Sequence, residues 1–118
     1  MGLYGFKKQF ADPILSGRKK HTIRAPRKHP DKPGNKMHLY TGLRQKGARL
    51  LMVGVCTKVE DIRITLDEIF VDDEPLTTSE MEQLAKCDGF TDLEEMMSFW
   101  DGNLPFTGQI FHWKRMEG

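Results

Sequence analysis

Two cysteines in 118 residues are too few for a disulfide framework, and they stand at no metal-ligand spacing. Cys56 lies in an apolar, strand-like stretch where a buried free thiol is expected, so neither a disulfide (within the chain or to a partner) nor a zinc site is predicted. Long hydrophobic runs are equally scarce. The longest, Leu50-Leu51-Met52-Val53-Gly54-Val55-Cys56, is far below a membrane span, and no charged segment followed by an apolar core opens the chain. The expected location is the cytoplasm. Both glycine patterns of phosphate cradles, Gly-x-x-x-x-Gly-Lys-Ser/Thr and Gly-x-Gly-x-x-Gly, are missing, which argues against nucleotide hydrolysis by those routes. The histidines His21, His29, His38 and His112 form no His-x-x-x-His pair, and no metal or other cofactor is expected. The acidic run Asp72-Asp73-Glu74, just before Pro75, is expected to form a solvated turn rather than a divalent-ion site.

What is present describes one globular domain over residues 1–118, with 38% hydrophobic and 30% charged residues. The net charge of +1 hides an asymmetry: residues 1–58 carry 14 Lys/Arg against 2 Asp/Glu, and residues 59–118 carry 4 against 15. Within one compact domain the halves can simply attract each other, so the split alone does not require a polyanion. It does locate where one would bind. Arg18, Lys19, Lys20, Arg24, Arg27 and Lys28 lie between Pro13 and Pro30 with no acidic residue among them.

Periodicity predicts strands at Gly2 to Phe6, Lys19 to Ala25, Asn35 to Thr41, Arg49 to Val59 (prolonged by Asp61 to Ile64), Ile69 to Val71 and Phe106 to Arg115. Asp12 and Pro13 are expected as N-cap and first position of a short helix that Gly17 stops, and the prolines from Pro26 to Gly34 mark a surface loop. A further loop is expected around Gly42 and Gly47. Ser79-Glu80-Met81-Glu82 matches a capping box opening a helix to about Cys87, with Gly89 at its C-terminus; Thr91-Asp92-Leu93-Glu94 repeats the device. Leu93, Met96, Met97 and Trp100 then form an i, i+3, i+4, i+7 stripe expected to face the core. Strands first, then two helices, then a strand favour an α+β arrangement or a small barrel with appended helices.

The chemistry concentrates in Ile14-Leu15-Ser16-Gly17-Arg18-Lys19-Lys20-His21-Thr22-Ile23-Arg24. One reading is a solvated strand end in which Thr22 is merely a good strand former. The other is a lysine that, in a pocket disfavouring its ammonium form, takes the proton of a threonine hydroxyl and makes it a nucleophile. Strict alternation places Lys19 with His21 and Ile23, and Thr22 with Arg24, on opposite faces. A Lys19–Thr22 pair therefore requires Lys19 in the turn after Gly17, or a bulge, with its side chain curling back over Thr22.

That stretch, together with Pro33-Gly34-Asn35-Lys36-Met37-His38-Leu39-Tyr40-Thr41-Gly42, Asp88-Gly89-Phe90 and the segment from Phe106 to Lys114, resembles the ASCH domain over nearly the whole chain. The resemblance implies an α+β fold, a small PUA-like β-barrel of about five to six strands with flanking short helices, and a basic cleft that takes a nucleoside or RNA. Threonine at position 22 makes the chain similar to a bacterial branch of small N4-acetylcytidine amidohydrolases. What this implies is a catalytic group of Lys19, Thr22 and, where that branch has a glutamate, the one-methylene-shorter Asp88. Arg24 would then hydrogen-bond the base carbonyl or the oxyanion, Tyr40 or Phe90 would stack on the ring, and Arg18 and Lys20 would flank the substrate. The alternative is an RNA-binding module, or a ribonuclease, whose same cleft holds phosphates on Arg18, Lys20, Arg24, Arg27 and Lys28.

Overall fold

The computed structural model describes residues 2–43 and 46–116, so residues 44 and 45 of the loop expected around Gly42 and Gly47 lie outside it. In chain order the elements are β1 (Gly2–Phe6), a 3-10 turn (Lys8–Phe10), α1 (Ala11–Ser16), β2 (His21–Arg24), β3 (Lys36–Thr41), β4 (Arg49–Ile64), β5 (Ile69–Val71), β6 (Glu74–Pro75), α2 (Thr78–Cys87), α3 (Leu93–Trp100) and β7 (Phe106–Arg115). The described strands number seven, above the expected five to six, because the two residues of β6 close a hairpin on β5.

β4 organises the sheet. Its 16 residues run unbroken from Arg49 to Ile64, and its first half pairs with β3 while its last residues pair with β5. β7 lies antiparallel along the other side, with a register shift between Cys56 and Lys58 that lets so long a strand bend. β1 joins β3 in parallel and β2 joins β7, so β1 and β2, like the short β6, are edge strands of a mixed, curled half-barrel, and β1 and β2 face each other across its seam. Arginines bridge that seam. Arg24 Nη2 donates to the Gly5 carbonyl at 2.8 Å and Arg27 Nη2 to the Leu3 carbonyl at 3.3 Å, which occupies edge groups that an open sheet would leave unpaired.

The interior is filled from alternate positions of β1, β3 and β4, with Tyr4, Met37, Leu39, Ile62 and Ile64 fully buried, while β7 buries the consecutive Ile110 and Phe111, one on each of its faces. Cys56 is buried there as a free thiol. The stripe on α3 packs as its spacing predicts: Met96 is buried, Leu93, Met97 and Trp100 lie against the core, and the Trp100 ring sits 4.4 Å from that of Phe106.

Helix starts differ from expectation by one to a few residues. α2 is capped by Thr77, whose hydroxyl accepts from Glu80 N while Glu80 Oε1 accepts from Thr77 N. This Thr-x-x-Glu, two residues earlier than Ser79 to Glu82, lengthens the helix by about half a turn and frees Glu82, whose carboxylate accepts from Leu93 N at 3.1 Å and ties α2 to α3. α3 is capped by Asp92 rather than Thr91. The first helical segment begins with the 3-10 turn, so Phe10 stands at the cap of α1 and Asp12 lies inside its first turn, where its charge suits the helix dipole. Gly17 ends α1 at φ 85°, as its place after Ser16 predicts.

The acidic run forms a turn, with Asp72 and Asp73 at φ 50° and 66° between β5 and β6. Two left-handed residues in a two-residue hairpin loop make the backbone favour glycine at the second. Asp73→Gly should therefore raise stability by about 0.5 kcal/mol, read as a higher urea midpoint at constant slope. Asp72 is not the position to change, since its carboxylate accepts from Asp61 N.

Candidate functional site

After Gly17 the chain makes an irregular turn, residues 18–20, before β2 begins at His21. Three elements hold that turn: Lys19 N donates to the Pro13 carbonyl of α1, Lys20 N to the Cys87 carbonyl of α2, and Trp113 N of β7 to the Lys20 carbonyl. Lys19 is thereby directed inward and is only 3% exposed. Its Nζ donates to the Asp88 backbone carbonyl at 2.5 Å and to Asp88 Oδ1 at 3.0 Å, over the rings of Phe10 and Phe6 at 4.7 and 5.6 Å. Burial lowers the Lys19 pKa below that of a free lysine, with the Asp88 carboxylate pulling the other way. Asp88 is itself buried and stands at the C-cap of α2, where its short side chain suffices because Lys19 comes to it.

Gly89 makes this approach possible. It sits at φ 99°, and a Cβ there would lie 3.1 Å from Lys19 Cδ and 3.2 Å from Phe10 Cδ1. Gly89→Ala should cost about 1–3 kcal/mol in thermal or urea unfolding and displace the Lys19 side chain, whereas an alanine at Gly102, whose Cβ meets nothing within 4 Å, should carry only the backbone part of that cost.

His21, absent from the expected catalytic group, completes the cluster. It is 2% exposed, its Nδ1 lies 3.1 Å from Asp88 Oδ1, and the His112 ring meets it edge-on at 5.1 Å. His112 Nε2 in turn lies 2.6 Å from Glu60 Oε1, and burial lowers the His112 pKa against the opposing pull of Glu60. Alternation had already paired Lys19 with His21; what the sequence concealed was that both would meet Asp88, 67 residues beyond His21.

Thr22 and Arg24 form the second half. Thr22 is buried, and its hydroxyl oxygen accepts from Arg24 Nε at 3.0 Å. The Arg24 guanidinium lies 4.8 Å from the Phe6 ring, and burial first, then nearby Arg27, lowers its pKa to about 10. Among the described residues no hydrogen bond joins Lys19 to Thr22, so the expected curl of Lys19 over Thr22 is corrected: the lysine is in the turn, as required, but its ammonium turns to Asp88. The two halves meet across Phe6, which carries Lys19 and Arg24 together.

The other expected residues are dispersed. Phe90 is 1% exposed, edge-on to Phe10, and packs the core rather than offering a stacking face. Tyr40 is half-buried on β3 opposite Gly5 of β1. Arg18, Lys20 and Lys28 are exposed, whereas Arg27 lies over the Tyr4 ring at 4.2 Å as part of the seam. A buried Tyr4 hydroxyl that donates to Asp31 Oδ2 at 2.6 Å underlies these arginines; burial pushes its pKa far above the usual phenol value. Neither residue stands out in the sequence, because a tyrosine in an amphipathic strand and an aspartate in a proline-rich loop are both ordinary there. Among the described residues no three His, Cys, Asp or Glu side chains gather as a metal site would require.

Chemically, the arrangement is a buried amine, one carboxylate to hold it and, three residues further along the chain, a buried hydroxyl whose oxygen accepts from a guanidinium. No protein-family model matches the chain, and no curated protein matches it in sequence. Solved structures do share its fold: the ASCH protein of Zymomonas mobilis (TM-score 0.59, 12% identity) and its Tyr-to-Phe and Ser-to-Ala variants (0.58 and 0.55; 11% and 12%). Each match covers 95% of this chain but only 65%, 67% and 66% of the solved one, so the chain spans about two thirds of their length.

Proposed function

We propose that this chain, which has the ASCH-domain fold, is an amidohydrolase acting on an N-acylated pyrimidine nucleoside such as N4-acetylcytidine. The observation that carries the reading is the burial of the Lys19 ammonium on Asp88, three residues before a buried threonine held by Arg24. A buried ion pair of this kind is poor evidence of a stabilising role, since apolar residues of similar size serve stability as well or better. A lysine whose charge is disfavoured is, by contrast, what a general base requires.

In the proposed reaction neutral Lys19 takes the hydroxyl proton of Thr22 as Oγ1 attacks the acetyl carbonyl. Arg24, already on Oγ1, stabilises the negative charge that develops there and on the carbonyl oxygen. The tetrahedral adduct collapses, the nucleobase amine leaves with the proton returned by Lys19, and an acyl-Thr22 ester remains. Water then gives a proton to Lys19 as it attacks the ester; Lys19 passes that proton to Thr22 Oγ1 as the adduct collapses, and acetic acid departs and loses its own proton to solvent as acetate. Asp88, with His21 behind it, orients the lysine throughout. The reaction requires that substrate binding bring the Lys19 amine from Asp88, where it is now held, to Thr22.

Hydrolysis should rise with pH, because Lys19 is a base only when uncharged. Its pKa is lowered from 10.5, so the rising limb should lie at lower pH than an exposed lysine would give. A rate flat from about pH 6 to about pH 10 would contradict the assignment. The exposed Arg18, Lys20 and Lys28 favour a second reading, an RNA-binding module or ribonuclease. A ribonuclease needs a polynucleotide and can dispense with Thr22, whereas the amidohydrolase needs Thr22 and cleaves a free nucleoside; incubation with each substrate separates them.

A further inference from the structure

A groove of about 240 Å³ opens between the end of α1 and the paired strands β4 and β7. Met52 and Trp113, each 8% exposed, supply its apolar surface, and Lys20, Lys114 and Arg115 supply charge. Among the described residues no acidic one lines it. Its walls are fixed: Lys20 is held through its backbone by both α2 and β7, and Arg115 Nη2 donates to the Leu15 carbonyl at 3.0 Å, tying the end of β7 to α1. Gly17 and Lys19 also line the groove, so the turn that sends the Lys19 amine to Asp88 forms its wall.

An uncharged nucleoside has no use for three exposed cations beside the turn that carries the general base Lys19. A phosphate, with one or two negative charges, does, and its sugar or base would rest on Trp113 and Met52. We propose that this groove is a phosphate-binding subsite, so that the nucleoside presented to Lys19 and Thr22 carries a phosphate. The proposal rests on the amidohydrolase reading for what sits next to the groove, but not for the groove's own affinity. The phosphate belongs to a mononucleotide or to an RNA strand, which offer the same chemistry.

Calorimetric titration of the full chain with cytidine, cytidine 5′-monophosphate and a short oligocytidylate tests it without catalysis, so failure to hydrolyse N4-acetylcytidine leaves the test intact. The expected result is binding of at least one phosphorylated ligand about tenfold or more tighter than cytidine, weakening as salt is raised. In Lys20→Gln/Lys114→Gln, with folding checked by its melting curve, the preference should fall to about twofold or less. A preference already present with the monophosphate assigns the subsite to a nucleotide; one confined to the oligonucleotide assigns it to RNA. Equal binding of all three ligands by the wild type, or a preference unchanged in the folded variant, would overturn the proposal.

Discussion

Lys19→Met is expected to lose about 3–5 kcal/mol of stability and essentially all hydrolysis, and adding Asp88→Asn is expected to restore most of the stability and none of the activity. The single change leaves the Asp88 carboxylate buried without its ammonium partner, and an uncompensated buried charge costs that much. Asparagine removes the charge yet keeps an oxygen for His21 Nδ1, which lies 3.1 Å away. Methionine keeps an unbranched stem of similar length beside the Phe6 and Phe10 rings that Lys19 now adjoins. Urea unfolding of the two variants, set beside acetate release, separates the roles. Recovery of both together in the double variant would mean that the pair is structural and the base lies elsewhere.

The second large effect belongs to Thr22. Thr22→Val keeps the branched shape in β2, leaves Arg24 Nε without its acceptor, and should cost only about 1 kcal/mol in folding. Hydrolysis should fall by about a thousandfold or more, because no other hydroxyl in the cluster can form the ester. Thr22→Ser should retain a measurable fraction, and mass spectrometry of the serine form under slow turnover should find the acyl adduct on residue 22. Hydrolysis surviving in Thr22→Val would exclude the covalent route and leave a water directly activated by Lys19.

Much of this arrangement is legible in the chain itself. The strands from Gly2, Arg49 and Phe106 show themselves by alternation, and the α3 stripe by its helical spacing, because both periodicities follow from burial on one side. Helix starts are less legible where two capping patterns overlap, as at Thr77 and Ser79, since only tertiary contacts such as Glu82 to Leu93 N decide between them. The candidate site divides similarly. Alternation separates Lys19 and His21 from Thr22 and Arg24, and the structure keeps that division, with Asp88 on one side and the β1 seam on the other. The union of His21 with Asp88, 67 residues apart, and of Tyr4 with Asp31, 27 apart, joins a strand to a helix end and to a loop, and no local pattern encodes such meetings. Arg27 illustrates the converse: a cation that suggests a phosphate contact is used instead to seal the seam.

The most direct test of the account is the ultraviolet spectrum of N4-acetylcytidine followed over time with the wild-type chain, Lys19→Met/Asp88→Asn and Thr22→Val. The account predicts conversion to cytidine and acetate by the wild type alone, with both variants folded. No conversion by folded wild type at enzyme concentrations equal to substrate would contradict it.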